Sequence, residues 1–263
     1  MSPVASALFL AAAGALAGLI GTAGGITSLV SYPALLLAGV APVQANIANL
    51  VALVACWPGA AAASQPELRG RSAWLRRWGP VAAAGGAAGS VLLLATPPGV
   101  FGRVVPFLVA AGSLALLAQP WLAARPSRQA DPGQGEGQDQ GKGRGRLLLP
   151  CGLVALSVYN GYFGAGSGVL LLALLLMTAD PLLPAANALK NMLVGAAGVV
   201  SAVLFALVTS VDWAAVAPLA AGLFGGSLAG PWVARRLPPG LLRWLVALSG
   251  LALAVRLWFA PAG

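Results

Sequence analysis

Ten apolar stretches, eight of them 17 to 25 residues long, follow one another along the chain with little polar sequence between them. At about 1.5 Å of rise per residue, a helix of that length crosses a hydrocarbon core of about 30 Å. The fold class this predicts is all-α, polytopic and membrane-spanning. Composition agrees: 59% of residues are hydrophobic and only 8% charged, against roughly 25% charged in a soluble domain. Met1-Ser2-Pro3 places no Lys or Arg ahead of the first run, so that run lacks the basic start of a cleavable signal peptide and reads as a structural helix.

The formal net charge of +9 would suggest nucleic acid in a soluble protein, but the arginines cluster in short loops between apolar stretches. Membrane topology explains them better, and no nucleic-acid partner is expected. Cys56 and Cys151 both sit in apolar surroundings and read as packing residues. The chain contains no histidine, which removes His-based zinc sites, Ser-His and Cys-His dyads and histidine proton relays together. No catalytic residue, metal or cofactor is expected. An intramembrane enzyme would need Lys190 to activate Ser167 in the absence of histidine. A membrane subunit of an ATP-driven transporter would need its motor from another chain, since no phosphate-binding loop is present.

Residues 125 to 146 form the one long polar tract, with six Gly, four Gln and eight charges in 22 residues. Such a segment cannot bury enough apolar surface to pack, and it reads as a disordered cytoplasmic linker between a first membrane repeat, 1–124, and a second, 147–263. The halves share landmarks in the same order. Gly18, Gly21 and Gly25 correspond to Gly161, Gly164 and Gly168; Ala45-Asn46 to Ala186-Asn187; Gly85 and Gly89 to Gly222 and Gly226; and Pro97-Pro98-Gly99 to Pro238-Pro239-Gly240. That order argues for a repeat. Each half holds five stretches: 4–20, 25–38, 43–63, 79–96 and 104–122, then 147–163, 168–178, 184–208, 214–234 and 241–259. The second of each set is too short to cross and reads as a half-helix after a Gly-rich turn, which leaves three to five spans per half.

Orientation follows from the basic residues, because cytoplasmic loops retain an excess of Lys and Arg. Twelve of the fifteen fall in three places: Arg69, Arg71, Arg76 and Arg77; Arg125, Arg128, Lys142, Arg144 and Arg146; and Arg235, Arg236 and Arg243. All face one side only if the halves run in opposite directions, with both termini outside. An inverted repeat is an architecture of secondary transporters, whose sites lie near the midplane where broken helices meet.

Candidate site residues gather at those places. Gly21-Thr22-Ala23-Gly24-Gly25 and Gly164-Ala165-Gly166-Ser167-Gly168 each precede a short helix. There Gly21, Thr22, Gly24, Gly25, Gly164, Gly166, Ser167 and Gly168 could present backbone N–H groups and the positive ends of helix dipoles to an anion; the competing role is close helix packing. Asn187, Lys190 and Asn191 make the most polar stretch inside any span. Lys190 either faces the interior as a binding group or snorkels to the headgroups. Asn46 and Asn49 occupy the related place in the first half and add donors without charge. All six acidic residues fall in loops or at segment ends, and the eight tryptophans, Trp57 among them, read as interfacial anchors.

YNGYFGAGSGVLLLALLL, AANALKN, VDWAAVAPLAAGLFGG and PPGLLRWLVALSGLALAVRL in the second half, with the turn, short helix and Ala-Asn start of the first, resemble the sulfite exporter TauE/SafE family. The resemblance spans the chain apart from the linker. It implies a multi-pass carrier in the plasma (inner) membrane that moves a small sulfur-containing or organic anion, with the family's Gly-rich turns matched by residues 21–25 and 164–168. The first turn departs from a fuller glycine run at Thr22-Ala23. The partners expected are therefore a small anionic substrate and the lipid bilayer, with a homodimer left open.

Overall fold

A computed structural model describes residues 2–25, 27–123 and 139–234, and scattered positions from 244 onward. Every regular element among the described residues is helical: α1 Pro3–Gly24, α2 Thr27–Leu37, α3 Pro42–Leu53, α4 Cys56–Ala63, α5 Gln65–Leu68, α6 Ser72–Ala95, α7 Pro98–Ala123, α8 Asp139–Tyr162, α9 Ser167–Thr178, α10 Leu183–Val208 and α11 Trp213–Ala234. Nine of the ten expected stretches coincide with these helices; the tenth, 241–259, lies outside the continuously described residues. So do most of the linker and Arg125, Arg128, Arg235, Arg236 and Arg243. Residues 139–146 of the polar tract form the start of α8.

Four helical stretches, Pro3–Thr22, Pro42–Ala63, Ser72–Ala95 and Leu183–Val208, are long and apolar enough to cross a membrane. Large apolar side chains point outward along them: Leu8 is 68% exposed, Val91 57% and Leu207 78%. A soluble protein does not expose apolar surface on this scale, so the molecule is a multi-pass α-helical membrane protein.

Local chemistry sets the helix ends. Ser2 caps α1 by accepting the Ala5 N–H at 3.3 Å, with Pro3 in the first turn. At the other end Gly25 takes a left-handed conformation, φ 76°, and its N–H returns to the Gly21 carbonyl at 2.6 Å. The 43–63 stretch, expected as one element, tightens between α3 and α4. Pro58 has no N–H and its ring cannot tolerate the carbonyl of Val54 four residues back. The chain responds with three-residue bonds, Val54 N–H to Val51 at 3.3 Å, Ala55 to Ala52 at 3.0 Å and Trp57 to Val54 at 3.0 Å.

The short elements, α2 with 11 residues and α9 with 12, reach only about 17 to 18 Å. Each follows a longer helix closely and forms a hairpin with it. Beside these hairpins α1 packs along α11, and α6 along α8. Glycines make both contacts. A Cβ at Gly222 or Gly226 would strike the Ala11 or Ala15 carbonyl of α1, and one at Gly89 or Gly161 would strike the Val158 or Gly86 carbonyl across the α6–α8 contact. Small residues allow this backbone approach where lipid supplies no hydrophobic drive.

Between α5 and α6, Arg71 makes an ion pair with Asp180 in the turn between α9 and α10. Asp180 also accepts the Leu182 N–H at 2.8 Å. Burial alone would raise the Asp180 carboxyl, but the Leu182 N–H and the Arg71 guanidinium outweigh it and hold the group below the usual carboxylate range.

Candidate functional site

The two hairpin turns meet inside the protein. In the second, the Phe163 and Gly164 N–H groups close on the Tyr159 carbonyl at 3.0 and 3.1 Å, and Gly164 sits at φ 80°. Ser167 then opens α9, its hydroxyl reaching both the Asn160 side-chain oxygen and the Gly164 carbonyl at 2.8 Å. Gly25 and Gly168 press together at the crossing. A Cβ on Gly25 would lie 2.6 Å from the Gly168 carbonyl carbon, and one on Gly168 would lie 2.7 Å from the Gly25 Cα.

A cavity lies against this crossing. The turn at the end of α1 and the first turns of α2 and α9 form one wall, and the α3–α4 break and one face of α10 form the others. Asn187 and Asn191 pin that face to the end of α1, both donating to the Thr22 carbonyl, at 3.0 and 3.4 Å. Lys190 lines the cavity from between them. It is 2% exposed, which rules out snorkelling in this structure, and its Nζ has no hydrogen-bond partner among the described residues.

Of the residues expected from sequence, Gly21, Thr22, Gly25, Gly164, Ser167, Gly168, Lys190 and Asn191 line this cavity together. Gly24 closes α1 at the head of the turn. Gly166 packs against Gly112 on α7. Asn46 donates to the Tyr162 carbonyl at 2.8 Å, while Asn49 accepts from the Ser31 hydroxyl and donates to Ser28 at 3.2 Å. These asparagines, with Asn187, act as struts around the cavity.

The glycine turns offer fewer free N–H groups than their sequence suggests. Ser167 is bonded to the Gly164 carbonyl, and Val169 and Leu170 to that of Gly166. Of the first four N–H groups of α9, which lack partners within the helix, only that of Gly168 has no described acceptor.

Sequence reasoning missed Thr27, Ser28, Asn160, Cys56 and Trp57, all of which line the cavity. Trp57, read as an interfacial anchor, lies against Gly195 of α10, where a Cβ would collide with the indole. Its position well inside the 43–63 stretch was the available signal. Among the described residues no cluster of His, Cys, Asp or Glu could hold a metal ion.

A polytopic helical protein with a cation-bearing cavity between two interrupted hairpins has the construction of a membrane transporter. The family model described as sulfite exporter TauE/SafE matches residues 7–257, nearly the whole chain, and the chain belongs to that family. Its members are transporters of sulfite or related anions rather than enzymes. No curated protein and no solved structure matches the chain.

Proposed function

We propose that this transporter exports a small anion across the plasma membrane, binding it in the cavity beside Lys190. The observation that carries the reading is Lys190 itself, a buried cation without a hydrogen-bond partner among the described residues. Burying an isolated charge costs several kcal/mol unless it is paired, and a ligand of opposite sign supplies the pairing. The Ser28 hydroxyl, which already accepts from Asn49, keeps its proton to donate to such a ligand. Efflux needs no coupled ion when the cell interior is negative, because each anionic charge leaving gains about 2.3 kcal/mol per 100 mV.

The cavity lies between two halves of opposite orientation in this reading. Support comes from matched glycines making matched contacts in the α1–α11 and α6–α8 pairs. The Arg71–Asp180 pair adds to it, since it joins a loop assigned to the cytoplasm in the first half to the turn before α10 in the second. A cysteine introduced at position 135 should resist a membrane-impermeant thiol reagent in intact cells, and ready modification would overturn the topology.

Lys190→Gln tests the site. It keeps much of the side chain's length and polarity while removing its charge. Anion affinity in purified protein should fall roughly 10- to 100-fold, equivalent to about 1.5 to 3 kcal/mol for a charge-assisted hydrogen bond, with membrane insertion unchanged. Unaltered affinity in a well-folded variant would remove Lys190 from the site.

A further inference from the structure

Among the described residues that line the cavity, Lys190 is the one with a formal charge. The acids among the described residues stand elsewhere. Glu67 lies in α5, Asp139 at the start of α8 and Asp180 in its ion pair with Arg71, while Asp212 accepts the Ala215 N–H at 3.2 Å beside α11.

Helix dipoles do not alter this count much. The positive end of α2 begins at Thr27, just after the negative end of α1 at Gly24, and that of α9 begins at Ser167, just after α8 closes at Tyr162. Partial charges of about half a unit at each end therefore oppose one another. Most first-turn N–H groups of α9 are already bonded as well.

Among the described residues, then, nothing offsets the one cationic side chain of the cavity. A singly charged anion brings the sum to zero. A doubly charged anion leaves an excess negative charge in the same poorly solvated space, with a desolvation penalty comparable to that of the empty site. Hydroxyl and amide donors such as Ser28 and Asn191 can bond anion oxygens but cannot cancel that second charge. Leu50, Leu53, Val194 and Trp57 give the remaining wall an apolar surface, suited to a group that bears no oxygen.

Deepening the anion-carrier reading, on which it rests, we propose that this cavity selects singly charged oxyanions over doubly charged ones of similar size, with Lys190 supplying the one countercharge. Methanesulfonate and sulfate make the direct comparison, since a methyl group replaces one oxygen at nearly constant volume while the charge halves. Ethanesulfonate and methanedisulfonate extend it. Binding of each is measured on the purified full-length protein by calorimetry and by ligand-induced thermal stabilisation. The two monoanions should bind at least 10-fold more tightly than the two dianions, and in Lys190→Gln that ratio should fall toward one. Dianions binding as tightly as monoanions would overturn the selection while leaving an anion carrier in place. A ratio unchanged in Lys190→Gln would overturn the assignment to Lys190. Failure of all four anions to bind would overturn the carrier reading and the selection together.

Discussion

Asn46 and Asn49 on α3, and Asn187 and Lys190 on α10, stand at the same spacing, each pair beginning at an Ala-Asn step. Their first members do the same work. The Asn46 amide donates to the Tyr162 carbonyl at the end of α8, and the Asn187 amide to the Thr22 carbonyl near the end of α1, so α3 ties down the α8–α9 hairpin and α10 the α1–α2 hairpin. Both amide oxygens are left without a partner among the described residues. The second members differ completely. Asn49 is fully buried and bonded to Ser31 and Ser28, whereas Lys190 is nearly as buried and bonded to nothing described. The first asparagine of each pair is thus a structural tie, while of the second members one is a bonded strut and the other an unbonded cation.

Exchanging the second members should break this comparison most visibly. Asn49→Ala removes two buried hydrogen bonds, leaving the Ser31 hydroxyl only the Thr27 carbonyl at 2.9 Å, and should lower stability in detergent by about 1.5 to 3 kcal/mol. Lys190→Asn makes the two pairs alike and removes a cation that has no partner among the described residues. It should leave the melting temperature unchanged or higher while abolishing stabilisation by added anions. A large destabilisation by Lys190→Asn would show that the lysine is structural after all.

Truncating the first members sharpens the likeness by a smaller amount. Asn46→Ala and Asn187→Ala each remove one interhelical bond, so each should cost between about 0.6 and 1.7 kcal/mol. Asn46, wholly buried, should lie toward the upper end and the partly exposed Asn187 toward the lower. Equal and negligible effects in thermal melts would remove the cross-tie.

The smallest effect belongs to the cation that does have a partner. Because the Asp180 carboxyl is held below its ordinary value of 3.8, its contribution to stability is complete above that value and is lost as pH falls further. Arg71→Gln should weaken that acid-side loss and change stability at neutral pH by under about 1 kcal/mol, since the guanidinium is partly exposed. Identical acid melting curves for the variant and the parent would show that the pair contributes nothing.

Much of the fold was legible because membrane helices are dictated by length and apolarity. The α2 and α9 half-helices were visible as stretches too short to cross, and the Asn187–Lys190 face stood out as the most polar sequence inside any span. What escaped depends on packing across the halves. Trp57 reaches the cavity only because α4 lies against Gly195, and the break that frees α4 was encoded in Pro58, which lies well inside the 43–63 stretch and cannot continue an unbroken helix. The number of free N–H groups at the turns was illegible too, since sequence does not reveal that the Gly164 and Gly166 carbonyls turn back to take them.

The meeting of Gly25 and Gly168 bears on how the chain can vary. In most contacts a larger residue on one side is relieved by a smaller one on the other, which is how second-site suppressors arise. Here both partners are already glycine, and each would drive its new Cβ into the other's backbone. Gly25 adds a left-handed conformation that a side chain strains further. A suppressor screen starting from Gly168→Ala should therefore never return a change at residue 25. Revertants should restore the glycine itself or loosen α1, α2 or α9 elsewhere along their length.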